Sequence, residues 1–91
     1  MGQVDWVAEL AKDNPGRKHL DLVVFAGALR AYAEASTHVR KHGAVVAHPR
    51  TGEPMENPYL KVQTQQGLLM RKLRGIESAR VLALALGKQA R

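Results

Sequence analysis

Apolar positions along the chain fall into two stripes of the same step. Leu22, Phe25, Leu29, Tyr32, Ser36 and Val39 follow one another at intervals of three and four, which lines one face of an α-helix. Tyr59, Val62, Gln66, Leu69, Leu73 and Ile76 repeat that spacing. The two stripes predict long helices over residues 17–42 and 58–75. A helix of some 24 residues is about 36 Å long, more than the width of a compact globule of this mass. It must pack along something equally long.

Helix breakers separate the two stripes. Gly43 stands where a helix takes its left-handed C-terminal cap. Val45-Val46-Ala47 and Pro54-Met55-Glu56 flank Arg50-Thr51-Gly52-Glu53, a pattern compatible with a small β-hairpin turning near Gly52, although the prolines restrict its ladder. Asn57 then supplies an N-cap, and Pro58 fits the first helical position, where its missing N–H costs nothing. The connector 43–57 thus turns the chain back, so that the stripes meet as an antiparallel helical hairpin.

Shorter elements flank this pair. Trp6, Val7, Leu10 and Ala11 recur at helical spacing within residues 1–16, and Asn14-Pro15-Gly16 stops that helix. Its other face carries Asp5, Glu9 and Asp13, four apart, an acidic stripe suited to docking on the basic surface of a neighbouring copy or to plain solvation. Gly75 closes the second long helix, and a last helix is expected from Ser78 to Leu86 within residues 76–91. The predicted class is all-α, in a single domain. Leu60 and Leu68 lie off the second stripe and Val24 off the first, leaving apolar surface that one partner helix does not cover. That surplus points to self-association, with Val24, Leu60, Leu68 and Trp6 at the interface. The competing expectation is that the first and last helices cover it within one chain.

Composition adds direction. The chain of 91 residues has 14 Lys and Arg against 8 Asp and Glu, a net charge of +6, so polyanions are attracted. Residues 61–91 hold seven basic side chains against Glu77 alone, giving an acidic head and a basic tail. Cysteine is absent, which excludes disulfides and thiolate metal sites and suits a reducing cytoplasm. No apolar run approaches the roughly 20 residues of a membrane-spanning helix, and no signal peptide is visible.

Arg71, Lys72 and Arg74 lie within one turn and Arg80 follows shortly after, a cluster able to neutralise several phosphates or to pair with acids of a neighbour. Arg17-Lys18 begin the first long helix. Arg40-Lys41 end it, where they complement the helix dipole and are available to phosphates. No aromatic residues interleave with these bases, so a single-strand stacking platform is not expected. His38 and His42 are four apart with His48 nearby, but no cysteine or close carboxylate completes a zinc set. There is no phosphate-binding loop, because Gly87-Lys88 is followed by Gln89, and no nucleophile motif. Nothing here argues for an enzyme, a cofactor or a metal.

The succession Ala31-Tyr32-Ala33-Glu34-Ala35 in a long helix, Gly43, a short Gly-containing connector, Asn57-Pro58, a second long helix, and Arg71 with Leu73 before Gly75-Ile76 and Ser78-Ala79-Arg80 resembles the small terminase subunits of tailed phages. The resemblance covers roughly residues 20–84 and is most telling at Asn57-Pro58 and from Arg71 to Arg80. It implies a ring-forming, non-enzymatic DNA-packaging protein in the cytoplasm of a bacterial host, with viral duplex DNA and a large ATPase and nuclease subunit as partners. DNA contact would then fall to Arg71, Lys72, Arg74 and Arg80, with Arg17, Lys18, Arg40 and Lys41. The chain departs from the family's pattern in two places. Gly75-Ile76-Glu77-Ser78 is one residue shorter than a Gly-Leu-Thr-Pro-like corner and lacks its proline, and sixteen residues before Arg17 are too few for a helix-turn-helix. Two other classes fit the same sequence: a small helical adaptor binding protein through its apolar stripe, and a non-specific nucleoid-type DNA binder.

Overall fold

The computed structural model describes residues 4–89, with side chains through Gly87. Its elements in order are α1 (Trp6–Asp13), α2 (His19–His42), β1 (Val45–Ala47), β2 (Pro54–Glu56), α3 (Tyr59–Lys72) and α4 (Ala79–Gln89). The protein is mostly helical, and its small sheet is the antiparallel pair Val45↔Glu56, Val46↔Met55 and Ala47↔Pro54.

Local chemistry sets these boundaries. The Asp5 carboxylate accepts the Ala8 N–H at 3.1 Å, satisfying one of the free donors at the start of α1. At the end of α2, Gly43 takes φ +83° and donates its N–H to the Val39 carbonyl at 2.7 Å. Pro58 is already helical, with φ −57° and ψ −25°, and the Asn57 carbonyl oxygen of the side chain accepts the Tyr59 N–H at 3.0 Å. The Asn-Pro start read from the sequence is therefore the one that forms. α3 stops at Lys72, three residues short of the expected end, so Leu73 and Ile76 lie in the corner before α4 rather than on the helix.

α3 runs antiparallel to α2. Tyr59 stacks on His38 with ring centroids 4.1 Å apart, Gln63 Nε2 donates to Ser36 Oγ at 3.1 Å, and Gly67 lies against the Tyr32 ring. As residue numbers rise along α3, their partners in α2 fall. This face is less apolar than the stripe suggested, and no residue of α3 is fully buried. The reason lies in the contact positions: Gln63 brings a hydrogen bond and Gly67 brings no side chain, and neither brings apolar area.

The buried core sits elsewhere. Leu10, Leu22, Phe25, Ala26, Leu29, Ala33, Val81 and Ala85 form it, so α1 and α4 close over the N-terminal part of α2. Trp6 is half-buried against this cluster. Leu60 is half-buried, whereas Val24 and Leu68 remain exposed.

Only one end of α2 is thus wrapped by helices, and the molecule measures 51 × 31 × 18 Å with a radius of gyration of 15.0 Å. A compact chain of this length has a radius near ~12 Å. The extra length is the α2–α3 pair reaching out to the β-hairpin. Among the described residues no helix is long and apolar enough to cross a membrane.

Candidate nucleic-acid interface

The bases singled out in the sequence fall into three groups. Arg17 precedes α2, and its Nη2 donates to the Arg74 carbonyl at 2.9 Å, across 57 positions of sequence. That bond places the start of α2 beside the end of α3. Arg17, Lys18, Arg71, Lys72 and Arg74 therefore share one end of the molecule, and all five are exposed. None of them pairs with a carboxylate among the described residues. Gly75, at φ +83°, lets the chain turn here, and a side chain at this position would collide with the Arg17 guanidinium.

Arg40 and Lys41 close the other end of α2. At ~1.5 Å per residue, the 22 steps from Lys18 to Arg40 separate them by about 33 Å. They belong to the β-hairpin end and not to the five-base cluster.

Arg80 belongs to neither group. Its Nε donates to Asp13 Oδ2 at 2.9 Å, its Nη1 to Glu9 Oε1 at 3.0 Å and its Nη2 to the Glu9 carbonyl at 3.0 Å. This guanidinium fastens α4 to α1, and three of its five N–H donors are engaged within the chain. Its intrachain ion pairs distinguish it from the five bases, which are unpaired among the described residues. The same geometry places Glu9 and Asp13 on a base of their own chain and Asp5 on its own helix cap. Lys12 first, at 2.8 Å, and Arg80 second hold the Glu9 carboxyl below its usual range. Glu9 and then Asp13 raise the Arg80 guanidinium.

The corner that carries the cluster is fixed by Asn14, whose place in Asn14-Pro15-Gly16 marks it as a turn former and nothing more. Asn14 is buried, and its Nδ2 donates to the carbonyls of Leu10 and Glu77, both at 2.8 Å. Its Oδ1 accepts the Glu77 N–H. Asn57 does the same work at the opposite end: fully buried, it donates from Nδ2 to the Gly43 carbonyl at 2.9 Å and to His38 Nδ1 at 3.0 Å. Both links span turns whose partners are distant or adjacent in ways that periodicity does not encode.

Beside the five bases runs an open groove between α2, α3 and the corner. Phe25, Tyr32, Leu68, Met70, Leu73 and Ile76 line it, and Arg71 and Arg74 stand at its rim. Among the described residues no group of three or more His, Cys, Asp or Glu side chains is placed to hold a metal ion. Comparison with protein-family models, with curated proteins and with solved structures found no match to the chain.

Proposed function

We propose that the chain is a DNA-packaging accessory protein of the small terminase subunit type, which binds duplex DNA as a ring of identical copies and presents it to a separate motor subunit. The observation that carries this reading is the gathering of Arg17, Lys18, Arg71, Lys72 and Arg74 at one end without carboxylate partners. Each lysine or arginine that meets a phosphate releases counterions, and repetition around an axis converts modest single-site attraction into strong binding. Self-association is supported by the elongated helical hairpin and by an exposed apolar stripe on α2. Leu20 is 70% exposed, Val23 42% and Val24 40%, and Gly27 on the same face has open space beyond its Cα. The groove borders Phe25 and Tyr32, on another side of α2 from this stripe, so a copy seating its stripe in the next copy's groove would make a head-to-tail contact that closes into a ring when the rotation allows.

Sedimentation or native mass measurement, paired with duplex binding across a salt series, tests the proposal. A closed oligomer is expected, with log affinity falling steeply against log salt. Lys72→Ala with Arg74→Ala should flatten that slope by about 1.8 if each base contacts one phosphate. A monomer without salt-dependent DNA binding overturns the reading. The groove favours a second one: its apolar lining between two arginines suits an acidic amphipathic helix of a protein partner, as an adaptor would require. A monomer that is indifferent to DNA but retains an intact groove would support that alternative.

A further inference from the structure

The β-hairpin end carries an aromatic arrangement that the spacing of residues did not suggest. His42 and His38 lie with ring centroids 4.4 Å apart and tilted by 39°. His38 in turn stacks on Tyr59 at 4.1 Å and 23°. His38 is thus the middle ring of three. Among the described residues no further ring stacks on His42 or Tyr59, and both are exposed. With His48, these rings border a cavity whose other walls are Val46, Pro49, Met55 and Pro58.

Hydrogen bonds fix the chemistry of two of the imidazoles. The Asn57 amide is oriented unambiguously, because its oxygen accepts the Tyr59 N–H and its nitrogen donates to the Gly43 carbonyl. Its nitrogen is therefore the donor to His38 Nδ1. Nδ1 accepts, so neutral His38 carries its proton on Nε2. His48 Nδ1 likewise accepts the backbone N–H groups of Arg50 at 3.1 Å and Thr51 at 3.4 Å, which puts its proton on Nε2 as well. The cavity is bordered by three clustered rings, by apolar walls and by two imidazoles whose neutral forms carry the proton on Nε2. Arg40 and Lys41 in the last turn of α2 and Arg50 in the hairpin turn are exposed nearby in the chain. Glu53 and Glu56 also lie on the hairpin, but Glu56 borders a different hollow, with Leu60 and Lys61.

We propose that this end binds single-stranded nucleic acid by stacking an unpaired base against the His42–His38–Tyr59 rings. A nucleobase supplies a planar π-face for the rings and acceptor atoms for imidazole N–H groups, while Arg40, Lys41 and Arg50 attract the adjoining phosphates. This function is separate from duplex contact at the five-base cluster, which lies at the far end of α2. In a packaging protein it would engage frayed or nicked DNA; in any nucleic-acid-binding protein it would favour single strands over duplex at this end.

The test compares a fluorescein-labelled (dT)12 with a 12-mer of the same charge made of abasic sites, each titrated with the full chain and followed by anisotropy. Because base stacking on an aromatic ring is sequence-tolerant and strong, wild type should bind (dT)12 about tenfold or more tighter. His42→Ala and Tyr59→Leu should bring that ratio toward one with little change in abasic affinity, and Tyr59→Phe should preserve it. His42 is exposed, so its variant keeps the fold available as a control for Tyr59→Leu. Equal affinity of the wild-type chain for the two oligonucleotides overturns the proposal, as does a ratio unmoved by both His42→Ala and Tyr59→Leu. Lys72→Ala with Arg74→Ala should lower duplex affinity and leave the (dT)12 preference intact. A wild-type chain that fails to bind duplex yet prefers (dT)12 strikes the packaging reading and not this one.

Discussion

The side-chain amide of Asn14 pairs with both main-chain groups of Glu77, donating to its carbonyl at 2.8 Å and accepting its N–H. A strand neighbour would make the same two bonds, here supplied by one buried side chain between the end of α1 and the corner before α4. Asn14→Ala leaves the Leu10 carbonyl, which is buried, and the part-buried N–H and carbonyl of Glu77 without these partners. An unpaired buried polar group costs about 1–3 kcal/mol, so a loss of about 2–4 kcal/mol is expected in urea unfolding. A loss below about 0.5 kcal/mol would show that water replaces the amide.

Arg80 and Glu9 give a pH signature. The Glu9 carboxyl titrates below its usual value, chiefly through Lys12 and then Arg80. A carboxyl whose folded value is depressed contributes stability that is present above its unfolded value, near 4.5, and is lost as pH falls through the folded value. Wild-type stability should therefore decline as the solution is acidified below about pH 4.5. Arg80→Gln should flatten part of that decline while lowering stability at neutral pH. Chemical denaturation at a series of pH values checks it, and parallel curves for the two proteins would remove Arg80 from the account.

Two glycines separate backbone demand from packing demand. Gly75 sits at φ +83° and its missing side chain leaves room for the Arg17 guanidinium, whereas Gly67 is helical and a methyl there would meet the Tyr32 ring at an ordinary 3.6 Å. Gly75→Ala is expected to destabilise by about 1–2 kcal/mol from left-handed strain alone. Arg17→Ala should remove the collision and leave that strain in place. Gly67→Ala should instead stabilise by about 0.5–1 kcal/mol, because glycine is a poor helix former. Thermal unfolding of the three variants reads both effects.

Element positions were legible in the sequence because caps and breakers act locally: Gly43, Asn57-Pro58 and Asn14-Pro15-Gly16 end or begin helices where expected. Partner choice was less legible. The α3 stripe read as a core seam is half-buried at best, because Gln63 and Gly67 occupy the contact with α2 while α1 and α4 take the deeper burial around Leu29 and Val81. Periodicity gives a helix its apolar face but not the neighbour that covers it. The same limit applies to charge. Arg80 looked equivalent to Arg71 and Arg74 until the fold set it against Glu9 and Asp13, 71 and 67 positions away. The ring stack at His38 joins residues 38, 42 and 59, and only the i, i+4 half of it could be read from spacing.

The exposed stripe of α2 offers the sharpest test of self-association. Val24 is 40% exposed and Gly27 on the same face meets nothing within 4 Å. A glutamate at an exposed helical position changes the stability of a lone chain by only about 0.5 kcal/mol, so Val24→Glu should keep the unfolding transition of the isolated subunit. In an assembly that buries this stripe, the same change places a charge against apolar surface and should reduce the oligomer to smaller species. Gly27→Ala separates the two effects in the opposite direction. It should raise subunit stability by about 1 kcal/mol through helix propensity and weaken assembly only if neighbouring backbones approach there closely. Mass measured at matched concentration decides between them, and an oligomer unchanged by Val24→Glu would exclude this face from the interface.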